Sequence, residues 1–238
     1  KVLSFVLVLT LVLGSFSMVF AADANATTKL SDIAGNTNEQ AITVVNDLGI
    51  VTGYPDGTFK SGNSVTRAEF AAMITRALAI PESALAGYTA TTFKDTTGYG
   101  WAVPYLAFCE SKGIMLGDGN GNAMPGKTIT VNEAMTMILR ALGLTNNSAF
   151  LVGSWPANYV TVAKNEGLYD DVAALSTVDR GSAAQIIYNA LTVAGFAVNT
   201  DGATNRTTAS LLNALNCTSE KELVRYNDDS LISLTEYV

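Results

Sequence analysis

The stretches 49–78 and 113–142 of this chain align on each other without a gap, at a constant offset of 64 residues. Gly49-Ile50 meets Gly113-Ile114, Gly53 meets Gly117 and Gly57 meets Gly121. Thr66 and Glu69 meet Thr130 and Glu133, and Arg76-Ala77-Leu78 meets Arg140-Ala141-Leu142. A third, shorter copy follows: Gly167-Leu168 repeats the Gly-Ile step, and Val178-Asp179-Arg180 repeats Val65-Thr66-Arg67. Repetition at such a period means one supersecondary unit used several times. No copy can bury its apolar face alone, so the copies must pack together.

Each unit reads as helix, glycine loop, helix, which makes the chain all-α. Ala41, Ile42, Val45 and Leu48 recur at helical spacing in the first copy. Tyr105, Leu106 and Cys109 do so in the second, and Tyr159, Val160 and Ala163 in the third. Gly49, Gly113 and Gly167 stand where a left-handed residue would end that helix. The loops Gly53-Tyr54-Pro55-Asp56-Gly57-Thr58 and Gly117-Asp118-Gly119-Asn120-Gly121-Asn122 are built of turn formers. The second helix is predicted to begin at Thr66, Thr130 or Asp179. Its apolar side is Phe70, Met73, Ile74 and Leu78, with Ala134, Met137, Ile138 and Leu142, then Ala183, Ile186, Ile187 and Leu191, as counterparts.

Thr66 with Glu69 is a capping box, in which side chains satisfy backbone donors that a first helical turn leaves free. Thr130 with Glu133 repeats it, and Asp179 keeps only the cap. The box is therefore structural, and Glu69 is not read as a catalytic acid. The next residue varies instead: Arg67, Val131, Arg180. An exposed arginine beside free N–H groups, at the positive end of a helix, suits a carboxylate or phosphate.

Composition narrows the partners. With 14 Lys and Arg against 21 Asp and Glu, the formal charge of −7 argues against nucleic acid and anionic membrane surfaces. The chain has no histidine, so the commonest general base and zinc ligand are missing, and no cofactor or metal is expected. Cys109 aligns with Val45 and Ala163 and is read as a buried hydrophobe rather than half of a bridge to Cys217. Lys1, an apolar run over 2–13, and small-residue exits at Val19-Phe20-Ala21 or Ala22-Asp23-Ala24 describe a signal peptide over 1–21. The apolar run is too short to span a bilayer. The protein is expected to be exported, with no membrane contact after signal removal.

The run Gly53-Tyr54-Pro55-Asp56-Gly57-Thr58-Phe59, the signature Thr66-Arg67-Ala68-Glu69 and the closing Arg76-Ala77-Leu78 resemble the S-layer homology domain. The opening from Phe93 and Asp95 to Trp101 adds to this. The resemblance covers roughly 29–195: a first repeat over 29–84, a second over 93–145 and a degenerate third over 149–195. Residues 199–238 read as a linker or the start of a further region, with a short amphipathic helix expected within 207–215.

The resemblance implies a pseudo-threefold helical assembly with ligand grooves between repeats. It implies non-covalent anchoring of an exported protein to the bacterial cell wall, through secondary cell-wall polysaccharide carrying pyruvate ketals. An S-layer protein, self-associating in a lattice, is the preferred parent. A cell-surface enzyme such as a glycoside hydrolase, with its catalytic region elsewhere, is the alternative. Carried over by position, Arg67 contacts the carboxylate and Arg180 is its equivalent. Asp32 and Asp95 bind sugar hydroxyls or position the arginine. Trp101 and Trp155 either present a ring face to a sugar or pack in the core, and Gly53 and Gly117 let backbone approach the ligand. Val131, Thr37 and Asp171 depart from the pattern, so fewer working grooves than repeats are expected, with the one around Arg67 the strongest.

Two rival readings are weaker. Asp118, Asn120 and Asn122 imitate the opening of an EF-hand loop, but its twelfth position is Ile129. Asp170-Asp171 and Asp228-Asp229 read as solvated loop charges rather than glycosidase carboxylates.

Overall fold

Helices form where the apolar spacing and caps place them. A computed structural model describes residues 30–146, 148–198, 204–207, 210–211, 225–227 and 230–232. The readings made of the signal segment, Cys217, Asp228-Asp229 and most of 207–215 lie outside these residues. The first copy holds α1 (Glu39–Asp47), α2 (Arg67–Ala77) and a short α3 (Glu82–Leu85). A single 3-10 turn (Gly100–Ala102) leads into α4 (Val103–Ser111), followed by α5 (Val131–Ala141). The third copy holds α6 (Ala157–Asn165) and α7 (Arg180–Ala190). Gly49, Gly113 and Gly167 end the first helices at φ of +71°, +67° and +71°, a conformation that side chains resist. Both capping boxes are complete, and Asp179 accepts from the Ser182 N–H at 2.7 Å.

Each first helix packs on the second helix of the preceding copy. Thus α4 lies on α2, α6 lies on α5, and α1 closes the set against α7. The second helices α2, α5 and α7 touch pairwise around a common centre. There, three backbone hydrogen bonds form a closed ring. Val65 N–H donates to Val178 O at 3.0 Å, Ile129 to Val65 at 3.0 Å, and Val178 to Ile129 at 2.9 Å. These residues occupy one position in three copies and are each at most 1% exposed. The ring marks the pseudo-threefold axis. Phe70, Ile74, Met135, Ile138, Ile186 and Ile187 are buried around it, each worth about 1.5–3 kcal/mol.

Cys109 is a free, fully buried cysteine against the Ala71 carbonyl and the Thr75 hydroxyl. Burial pushes its thiol up to about 12, so it behaves as a small hydrophobe.

The helices give way after α7 to two short antiparallel ladders. They are β1 (Phe196–Val198) with β2 (Thr204–Arg206), and β3 (Arg225–Asn227) with β4 (Ser230–Ile232). Three-residue strands leave too little alternation to read from sequence. The first ladder is tied back onto the repeats. Phe196 N–H donates to Leu142 O at 2.6 Å, its carbonyl fills space that a side chain on Gly143 would occupy, and Arg206 pairs with Glu166.

Candidate functional site: the junctions between repeats

Arg67 is the first residue of α2, and its backbone faces the next copy. Its N–H donates to Lys127 O at 2.9 Å and that of Ala68 to Pro125 O at 3.1 Å. Arg180 and Gly181 at the start of α7 donate likewise to Asn63 O and Ser61 O, and Val131 donates to Ser176 O. The first-turn donors expected to be free for an anion are therefore already taken, because each loop caps the helix of its neighbour.

Nor is Arg67 an exposed side chain: it is 5% exposed. Its Nε donates to Ala123 O at 2.7 Å and its Nη1 to Glu133 Oε1 at 2.9 Å. Glu133 thus does two things, completing the capping box of α5 and neutralising an arginine from the first copy. Lys127 reaches the same oxygen at 3.4 Å. Burial alone would raise the Glu133 carboxyl. The Thr130 N–H and hydroxyl, with the charges of Arg67 and Lys127, outweigh burial and hold it below its ordinary value.

Arg180 occupies the equivalent place between the third and first copies, but it is only half-buried. Its Nε donates to Phe59 O and its Nη2 to Thr52 O, both at 2.8 Å. The guanidinium lies 4.5 Å from the Phe59 ring centre and 4.9 Å from that of Tyr54. Phe59 and Ala123 are the same position in their copies, so both arginines use one docking geometry. Among the described residues no carboxylate pairs with Arg180.

The two aspartates hold these docking loops. Asp32 accepts from the N–H of Phe59 at 2.6 Å and of Lys60 at 2.8 Å. Asp95 accepts from Ala123 and Met124, both at 2.8 Å. Each grips the peptide whose carbonyl receives an arginine, Asp32 for Arg180 and Asp95 for Arg67. The Phe59 N–H is the main cause that holds the Asp32 carboxyl low, with burial opposing and the Lys60 N–H assisting.

Gly53 and Gly117 are needed by the chain itself. A Cβ at Gly53 would stand 2.5 Å from Leu30 Cδ2, and one at Gly117 would stand 2.6 Å from Asn122 O and 2.8 Å from Phe93 Cε1. The room opened by these glycines is filled by Leu30 and Phe93, each two residues before its aspartate.

Trp101 and Trp155 are 53% and 54% exposed, which excludes core packing. Trp155 Nε1 donates to Thr136 Oγ1 of α5 at 3.0 Å, so it belongs to the junction that carries Val131. Trp101 precedes α4, which packs on α2, and shares the junction of Arg67. The candidate residues therefore divide. Arg67 and Asp95 share the Ala123 peptide between copies one and two, Arg180 and Asp32 share that of Phe59 between three and one, Gly117 and Gly53 lie against residues of their own copies, and Trp155 stands apart with Val131. Sequence reasoning missed Glu133, Phe59, Tyr54 and Lys60 as neighbours of the arginines. The gapless alignment held their equivalences, but not which copy faces which. Among the described residues no three carboxylate or cysteine side chains converge as a metal site.

Three helix-loop-helix repeats closed around one axis, with arginines at two of the three junctions, define a repeat-built helical module. The S-layer homology domain matches residues 29–71 and 92–136, so the chain carries that domain at two of its repeats. It is 28% identical over 194 residues to the Middle cell wall protein of Brevibacillus brevis, covering 81% of this chain and 18% of that protein. It is 31% identical over 161 residues to the Surface layer protein of Brevibacillus choshinensis, covering 68% of this chain and 14% of the relative. Exoglucanase XynX of Acetivibrio thermocellus is 30% identical over 178 residues, covering 68% and 16%. The chain thus spans less than a fifth of the length of each of these relatives.

Proposed function

We propose that this chain is an anchoring module that holds an exported protein on the bacterial cell wall by binding wall polysaccharide in the grooves between its repeats. It carries no catalysis of its own. Relatives named as surface-layer and cell-wall proteins and as an enzyme share this same stretch, which fits an anchor joined to different partners. Arg67 and Arg180 are the groove arginines, Asp32 and Asp95 position the loops that seat them, and Trp101 and Trp155 offer exposed rings to sugars. The acidic group on the glycan is a carboxylate such as a pyruvate ketal, which a guanidinium can meet with charge-assisted hydrogen bonds. Self-association in an S-layer lattice is the preferred setting, and anchorage of a surface enzyme the second.

The observation that carries this reading is the repeated seating of Arg67 and Arg180, each on a neighbouring copy's loop through Ala123 O or Phe59 O. Sedimentation with protein-stripped cell walls tests it. The wild-type chain should pellet with the walls, and the folded Arg67→Ala, Arg180→Ala double variant should remain in the supernatant. Pelleting by the double variant would sink the assignment.

A further inference from the structure

We propose that the β1–β2 ladder is a clasp that completes the junction between the second and third copies, with Arg206 and Phe196 as its two fastenings. The repeats alone leave that junction short of ties. Between copies one and two, the connection after α2 is long enough to fold α3 and to run back along α4. There Tyr88 and Phe108 meet edge to face with ring centres 5.5 Å apart. Glu110 accepts from the Thr91 hydroxyl at 2.5 Å, from the Thr92 N–H at 3.1 Å and from the Thr92 hydroxyl. The connection from α5 to α6 is shorter and holds no helix among its described residues. In the third copy the positions of Phe108 and Glu110 are Val162 and Lys164, so neither tie has its partner. Val131 also removes the arginine that crosses each of the other two junctions.

The ladder supplies the missing ties from beyond the repeats. Phe196 N–H donates at 2.6 Å to the carbonyl of Leu142, which caps α5. The Phe196 ring is buried and meets Phe150, from the α5–α6 connection, edge to face at 5.4 Å. Directly across the ladder from Phe196, Arg206 pairs with Glu166, which caps α6. Arg206 also gives Nη1 to Ala194 O at 2.8 Å and lies 4.5 Å from the Phe196 ring centre. One cross-strand pair thus grips copy two through Phe196 and copy three through Arg206. Leu211 is buried in the same core. Gly143 shows that the second copy is built for the clasp. Its counterpart after α2 is Ala79, which is also left-handed, at φ +55° against +97°, so this turn accepts a side chain. At Gly143 a Cβ would overlap the Phe196 carbonyl. The chain that follows Thr207 therefore starts from a fixed point on two copies rather than from the end of α7 alone.

Amide hydrogen exchange on the full chain tests this. Arg206→Glu should speed exchange of the amides of 142–144 and 166–168 by about fivefold or more, and leave those of α2 and α4 unchanged. Glu166→Arg should do the same. The double variant Arg206→Glu, Glu166→Arg restores opposite charges and should return exchange towards the wild-type rate, which a general loss of fold would not do. Gly143→Ala, which installs the residue of the first copy, should speed exchange at the same amides and at that of Phe196, whose bond to Leu142 it displaces. Unchanged exchange in the folded Arg206→Glu or Gly143→Ala chain would overturn the proposal. So would a double variant that is not rescued, or equal acceleration in α2 and α4.

Discussion

At the junction of the first and second copies, Arg67 is buried and shares an oxygen of Glu133 with Lys127. At the junction of the third and first copies, Arg180 is half-buried, sits over Tyr54 and Phe59, and bonds two carbonyls. The two residues hold one position in one motif and start equivalent helices. What differs is the meeting with the partner copy: both partners carry a capping-box glutamate, but only Glu133 pairs with its arginine, beside Ala123, whereas Arg180 meets Tyr54 and Phe59 of the first copy. A repeat fixes where a side chain is sent, and its neighbour decides whether its charge is paired on arrival.

The largest expected effect breaks this comparison most directly. Arg67→Ala strips a half-buried carboxylate of its guanidinium and leaves the Ala123 carbonyl unpaired, which should cost about 3 kcal/mol in urea unfolding. Arg180→Ala loses ring stacking and bonds at a wetter site and should cost about 1 kcal/mol. Equal losses would mean that the two arginines are structurally alike after all.

A smaller contrast lies one bond further out. Asp95→Ala frees the Ala123 and Met124 N–H groups and should cost about 2 kcal/mol, with less for Asp32→Ala, whose carboxylate is more exposed. Thermal unfolding would rank them, and the reverse order would contradict the burial argument. The helix caps come next: Thr130→Ala and Asp179→Ala should each cost about 1 kcal/mol by the same measurement.

The smallest effect is a pH dependence. Glu133 sits below its ordinary value of 4.5 in the folded chain. Its contribution to stability is therefore complete above that value and is lost as the pH falls through the lower folded value. Glu133→Gln should flatten this part of the stability curve, and a curve unchanged by the substitution would remove the linkage.

Much of the fold was legible because repetition and capping are local. The period of the copies, the glycines at 49, 113 and 167, and the caps at 66, 130 and 179 each follow from short-range geometry. Arg67 was misread as exposed because its burial depends on Ala123 and Glu133, dozens of residues away in a copy whose placement no local pattern reveals. The packing of Leu30 and Phe93 against the glycines at 53 and 117 was hidden for the same reason, since both come from the start of each unit.

The chain's own residue order determined three helical units, their ends, and the presence of arginine in the first and third copies but not the second. Those features rest on backbone conformation and apolar spacing over a few turns. Only the closed ring of Val65, Ile129 and Val178 decided which copy faces which. With it came the choice of acidic or aromatic company for each arginine, because electrostatic state is set by neighbours in space and not by neighbours in the chain.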